Sequence, residues 1–122
     1  EISEFTKLPK MLLSSADVIV SNSFLHHLHH PYVFWRTLMD LSIDGALHFH
    51  RDLRRPISKT QALALQIKYL PDAPQILIRD YLASLCAAFS REEVEIQISQ
   101  AGLFGLNVFE MEDRYLEVIG TL

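Results

Sequence analysis

The chain has 122 residues, 49% of them hydrophobic and 21% charged, enough for one domain over residues 1–122 with a sizeable core. A net charge of −4 gives no general attraction to nucleic acid or to an anionic membrane surface. The single cysteine, Cys86, excludes an intramolecular disulfide, and no apolar run approaches the roughly 18 residues of a membrane span, so a cytoplasmic protein is expected.

In chain order, residues 1–15 are weakly patterned, with Pro9 breaking any helix, and read as a lead-in from structure further upstream. Ala16 to Ser21 is rich in β-branched residues and apolar on both faces, the pattern of a strand covered on both sides. It runs straight into the polar loop Asn22-Ser-Phe-Leu-His-His-Leu28. Pro31 suits the first turn of a helix on which Phe34, Leu38 and Leu41 recur, flanked by Trp35 and Met39 as sheet-covering core. Ser42 to Gly45 stops that helix, and Ala46 to Asp52 is the second strand, entering the basic loop Arg51-Asp-Leu-Arg-Arg-Pro56. Three further helices follow. Ser58 and Gln61 form a capping box for the first, with Leu63, Ile67 and Leu70 as its stripe. The second starts near Pro74 and carries Ile78, Leu82, Leu85 and Phe89, with Cys86 among them as a buried, inert thiol. The third opens on the capping box Ser90–Glu93 and is closed by Gly102 as a left-handed cap. Leu106 to Met111 and Tyr115 to Ile119 read as an antiparallel hairpin. The order is β-α-β-α-α-α-β-β.

In open α/β sheets, ligands bind beyond the carboxyl ends of the strands, so the two strand-to-loop junctions are where a site is expected. Asn22 and Ser23 at the first junction offer hydrogen-bonding groups or a stabilised turn. Histidine is abundant nearby. His26 and His30 stand four apart, and His48 and His50 share one strand face, yet no acidic or cysteine partner falls at ligand spacing, so no metal site is expected. At the second junction Arg51 and Asp52 form either a rim that recognises an anionic substrate or a solvated ion pair of little worth.

The stretches Asp17 to Leu28, Leu41 to Asp52 and Val94 to Leu103, in this order and spacing, resemble the C-terminal half of class I S-adenosylmethionine-dependent methyltransferases, over roughly 15–121. The resemblance implies a Rossmann-like three-layer αβα sheet, present in part and ending in an antiparallel hairpin, with strand order first, second, fourth, third. It implies that Asn22, Ser23 and Phe24 border the methionine portion of S-adenosylmethionine in an intact protein. It further implies that His26 or His27 contacts or deprotonates a small-molecule acceptor, with Arg51 and Asp52 as substrate contacts. That family holds its cofactor mainly with a Gly-rich loop and a ribose-binding acid. The only glycines here are Gly45, Gly102, Gly105 and Gly120, and none makes such a turn. The chain is therefore expected to be a fragment or shortened relative that is inactive alone. The alternative is a non-catalytic module, dimerising or binding a partner through the exposed edge of its first strand and the adjoining apolar face.

Overall fold

The structure, a computed structural model, describes residues 9–122. Most of the expected lead-in, residues 1–8, lies outside the described residues; Lys10–Leu12 form one 3-10 turn. The elements are β1 (Ala16–Asn22), α1 (Pro31–Leu41), β2 (Ser42–Leu53), α2 (Lys59–Tyr69), α3 (Gln75–Ala87), α4 (Arg91–Ala101), β3 (Leu106–Met111) and β4 (Tyr115–Thr121). A 3-10 turn, Leu25–His27, sits between β1 and α1.

The sheet has the order β1-β2-β4-β3, with β1 and β2 parallel and β4 antiparallel to both of its neighbours. This is the expected first, second, fourth, third arrangement. The second strand starts earlier than expected, at Ser42, because the chain leaves α1 directly into extended backbone. A bulge follows, so that Ala16 pairs with Ser42 but Val18 pairs with Leu47.

One face of the sheet is covered by α1 and α4. Phe34, Trp35 and Leu38 of α1 and Val94, Ile98 and Ala101 of α4 pack on Leu106, Val108, Leu116 and Val118. The Trp35 indole donates to Gln97 Oε1 at 3.0 Å, which satisfies its one polar atom inside that layer. Met39, expected in the core with Phe34 and Trp35, is instead exposed, since α1 turns Phe34, Trp35, Thr37 and Leu38 inward. Ser90 and Glu93 make the full capping box at the start of α4, and Gly102 ends the helix with φ +82°. Gly105 and Gly120 have another purpose: a Cβ on Gly105 would lie 1.9 Å from the Thr121 carbonyl oxygen, so the start of β3 meets the end of β4 only without a side chain.

Among the described residues, the other face is covered only near the carboxyl end of β2. There α2 and α3 pack Ala62, Leu65, Leu85 and Ala88 on Leu53. The stripe expected on α2 is not the buried one: Leu63 and Ile67 are exposed, while Ala62, Leu65 and Gln66 face inward against α3. The Ser58 hydroxyl accepts from Gln61 N as expected, but the Gln61 side chain accepts from Ile57 N, one residue before the cap. Cys86 is exposed rather than buried, because α3 buries the preceding residue, Leu85, and the helix turns the thiol about 100° away from it. Across the rest of this face Val18, Val20, Leu47 and Phe49 stand exposed, with Val20 at 67%. The apolar alternation of β1 thus finds a layer on one side only.

Candidate active site

Three sets of residues meet at or below the carboxyl ends of β1 and β2: the loop after β1, the end of β2, and a polar stripe beneath them. Strand alternation decides their directions. Ala46, His48, His50 and Asp52 point into the α1 and α4 side, whereas Leu47, Phe49, Arg51 and Leu53 point to the other face. The sequence treated Arg51 and Asp52 as one pair; the strand separates them.

Arg51 lies on the open face. Its Nε and Nη2 both donate to Glu117 Oε2, at 2.8 and 2.5 Å, and its guanidinium stands 5.3 Å from the Tyr115 ring centre. The hydrogen bonds to Glu117 push the Arg51 pKa further up, so its charge is permanent. With Val20, Ser21, Asn22 and Phe49 it lines an open cleft of about 420 Å³ at the end of β1.

Asp52 is buried. Its Oδ2 accepts from Leu25 N at 2.6 Å and from His26 N at 3.4 Å, and its Oδ1 accepts from Leu53 N at 2.8 Å and meets His26 Nδ1 at 2.6 Å. The carboxylate thereby takes up the amide donors at the start of the 25–27 turn, which has no side-chain cap of its own. Its expected place as a substrate contact is occupied by the loop it holds.

Asn22 and Ser23 are exposed at the strand end. Ser23 N donates to the Arg51 carbonyl at 2.9 Å, and Ser23 has φ +57°, which turns the chain out of β1. The Ser23 hydroxyl donates to Asn22 Oδ1 at 3.2 Å. Phe24 leads into the turn, its ring 5.5 Å from that of Phe34. Of the adjacent histidines, His26 points inward to Asp52 and His27 is exposed, with ring centres 4.0 Å apart. The structure therefore brings Asn22, Ser23, Phe24 and His27 to one rim, with His26 and Asp52 beneath it.

Under this rim runs a chain that the sequence did not reveal. The Ser42 hydroxyl donates to the Leu38 carbonyl at 2.6 Å and meets His48 Nε2 at 2.9 Å. His48 Nδ1 meets His50 Nε2 at 3.1 Å, and His50 Nδ1 meets the Ser21 hydroxyl at 2.7 Å. Because the Ser42 hydrogen is spent on Leu38, His48 must donate from Nε2, accept at Nδ1 from His50, and leave His50 Nδ1 to accept from Ser21. Both rings are held neutral: burial lowers the His48 pKa, and burial, together with the repulsion that would arise if both rings were protonated, lowers that of His50 to about 3. Among the described residues no group of three or more histidine, cysteine or carboxylate side chains could hold a metal ion.

No protein-family model matches the chain, and no curated protein is detectably similar to it in sequence. Solved structures do match. A SAM-dependent methyltransferase from Aquifex aeolicus superposes with a TM-score of 0.58 at 17% identity, covering 94% of this chain and 50% of its own. The arsenic(III) S-adenosylmethionine methyltransferase CrArsM from Chlamydomonas reinhardtii gives 0.64 at 14% identity, covering all of this chain and 42% of its own. This is a partial class I methyltransferase fold. A third match, PigF with SAH, has a TM-score of 0.53 at 16% identity and covers 90% of this chain and 32% of its own. The chain thus spans half or less of the length of these methyltransferases. No described helix is long and apolar enough to cross a membrane.

Proposed function

We propose that this chain is the acceptor-side part of an S-adenosylmethionine-dependent methyltransferase that acts on a small-molecule nucleophile. The observation behind this reading is that β1 and the loop after it carry both the exposed polar residues Asn22, Ser23 and His27 and the bare apolar face of Val18 and Val20. A rim of that kind suits a ligand, and a bare face of that kind suits the remaining layer of a methyltransferase fold.

The residues fit one edge of the cofactor. Asn22 and Ser23 offer amide and hydroxyl groups to an amino acid portion, Phe24 offers an apolar side, and the cleft beside Asn22 is open. The glycines lie at Gly45, Gly102, Gly105 and Gly120, none of them in the loop between β1 and α1, so a phosphate-style cradle is not part of this rim. When bound, S-adenosylmethionine supplies a methyl carbon on a sulfonium. The work left to this chain is alignment of the acceptor and acceptance of its proton, for which the ring nitrogens of the exposed His27 are suited.

Titration of the chain with S-adenosylhomocysteine, followed by amide NMR, tests the placement. Weak binding is expected, with shifts confined to the Asn22 to His27 loop and the end of β2, while the separate cleft at Arg91, Phe104 and Asn107 stays unmoved. No shift at millimolar ligand would refute a cofactor edge at β1, and micromolar affinity would refute the reading that this chain holds only one edge.

A second reading, a dimerising or partner-binding module without catalysis, draws on the same bare face. Light scattering separates the two. A concentration-dependent dimer abolished by Val20→Lys favours self-association, and a monomer at high concentration favours a face that receives the rest of the fold.

A further inference from the structure

The Asp52 carboxylate has four contacts, and three of them are backbone N–H groups that can only donate. A carboxylate engaged in this way is an acceptor throughout, so the fourth contact places a hydrogen on His26 Nδ1. This is the carboxylate–imidazole arrangement by which a ring is locked in one tautomer and one orientation. The pair is inaccessible, each side chain being 5% exposed. What it supports is not. The His27 ring rests against the His26 ring at 4.0 Å with a 38° tilt, and His27 N donates to the Phe24 carbonyl at 3.1 Å to close the turn.

We propose that Asp52 and His26 are positioning residues, which hold the ring of His27 at the strand ends as the proton acceptor for methyl transfer. Only the last clause rests on the methyltransferase reading. In that step the acceptor's O–H, N–H or S–H gives its proton to a ring nitrogen of His27. The acceptor atom forms the new bond to the methyl carbon, and the old bonding pair stays with sulfur. Exposed side chains on a 3-10 turn have many rotamers, and a proton acceptor has to be held near one geometry to be useful. A buried ring fixed at its far edge by a charge-assisted hydrogen bond limits that freedom without touching the substrate. Asp52 differs in this respect from Arg51, whose contacts lie on the opposite face.

The test uses the whole 122-residue chain with ¹⁵N-labelled histidine and needs no cofactor. Long-range ¹H–¹⁵N spectra at neutral pH are expected to show His26 protonated on Nδ1, with ring-to-ring cross-peaks between His26 and His27. In Asp52→Asn the new amide can accept from the backbone and donate to the ring. His26 is then expected to pass to the Nε2–H form and the His26–His27 cross-peaks to be lost, while the amide signals of β4 remain. If Asp52→Asn does not fold, the wild-type tautomer alone decides, since an Nε2–H His26 refutes the lock outright. Retention of the tautomer and of the cross-peaks in folded Asp52→Asn refutes the positioning role. Either failure leaves the cofactor titration untouched, so it is distinguishable from failure of the methyltransferase reading.

Discussion

His50 sits 3% exposed between Trp35, at a ring distance of 5.2 Å, and Phe34, at 6.0 Å, with His48 and Ser21 as its hydrogen-bond partners. None of these four groups is a carboxylate that would welcome a proton. Its folded pKa of about 3 lies below the ordinary histidine value, so the unfolded chain binds more protons than the folded one as pH falls. The stability it contributes is fully present above about pH 6.5, declines as pH drops, and is exhausted near pH 3. Linkage gives a loss of about 2 kcal/mol between pH 7 and pH 5, and roughly 4–5 kcal/mol by pH 3, against a typical total of about 5–15 kcal/mol. Urea unfolding at a series of pH values, on wild type and His50→Phe, isolates this term. The variant keeps an aromatic ring beside Trp35 but strands His48 Nδ1 and the Ser21 hydroxyl, so it should lose about 1–3 kcal/mol at pH 7. The difference between the two proteins should then move by about 2 kcal/mol in favour of His50→Phe at pH 5, which brings the two close to equal stability. A difference that stays constant with pH would show that His50 is not a buried neutral ring, and the directional chain from Ser42 to Ser21 would fall with it.

Gly105→Ala should cost about 2–3 kcal/mol, since its Cβ meets the Thr121 carbonyl, whereas Gly102→Ala, strained in φ but facing open space, should cost about 1 kcal/mol; urea midpoints rank them, and equal costs would refute the close-approach argument. Cys86 should react with a thiol reagent in the native protein as fast as in the unfolded chain, and protection until unfolding would contradict its exposure. In a cofactor-binding form of the protein, Asn22→Ala should weaken cofactor affinity by about 1–2 kcal/mol, while His27→Ala should spare affinity and lower turnover. Calorimetry and kcat measurements check the pair, and unchanged values for both would move the site away from this loop.

The hairpin and the capped start of α4 were legible because each is written locally, in strand runs and in Ser90, Glu93 and Gly102, whereas the sheet order came from the family resemblance and not from any local signal. The helical hairpin of α2 and α3 was less so. Leu85 lies on the stripe expected for α3, but on α2 apolar residues lie on more than one face and only packing chooses Leu65 over Leu63 and Ile67. At the site, the rim residues were foreseeable from the strand-to-loop junction, but the tie from Asp52 to His26 was not, since it joins residues 26 apart in sequence. The signal that would have found it is the alternation His48, His50, Asp52. Three polar residues on one strand face, opposite the exposed Leu47 and Phe49, mean either an external face or an interior with assigned partners.

The position of β4 has a consequence for how the protein comes off the ribosome. It is made after β1, β2 and β3, yet it lies between β2 and β3, and Gly45 N and Ala46 O are tied to Leu122. A nascent chain that has not yet passed Tyr115 therefore carries β2 with one side unpaired and β3 with no partner strand at all. Those are templates for pairing with other chains, present until β4 has been made. Sheet assembly is withheld until Tyr115–Thr121 has emerged, and a pause in synthesis just before that segment would leave both edges open.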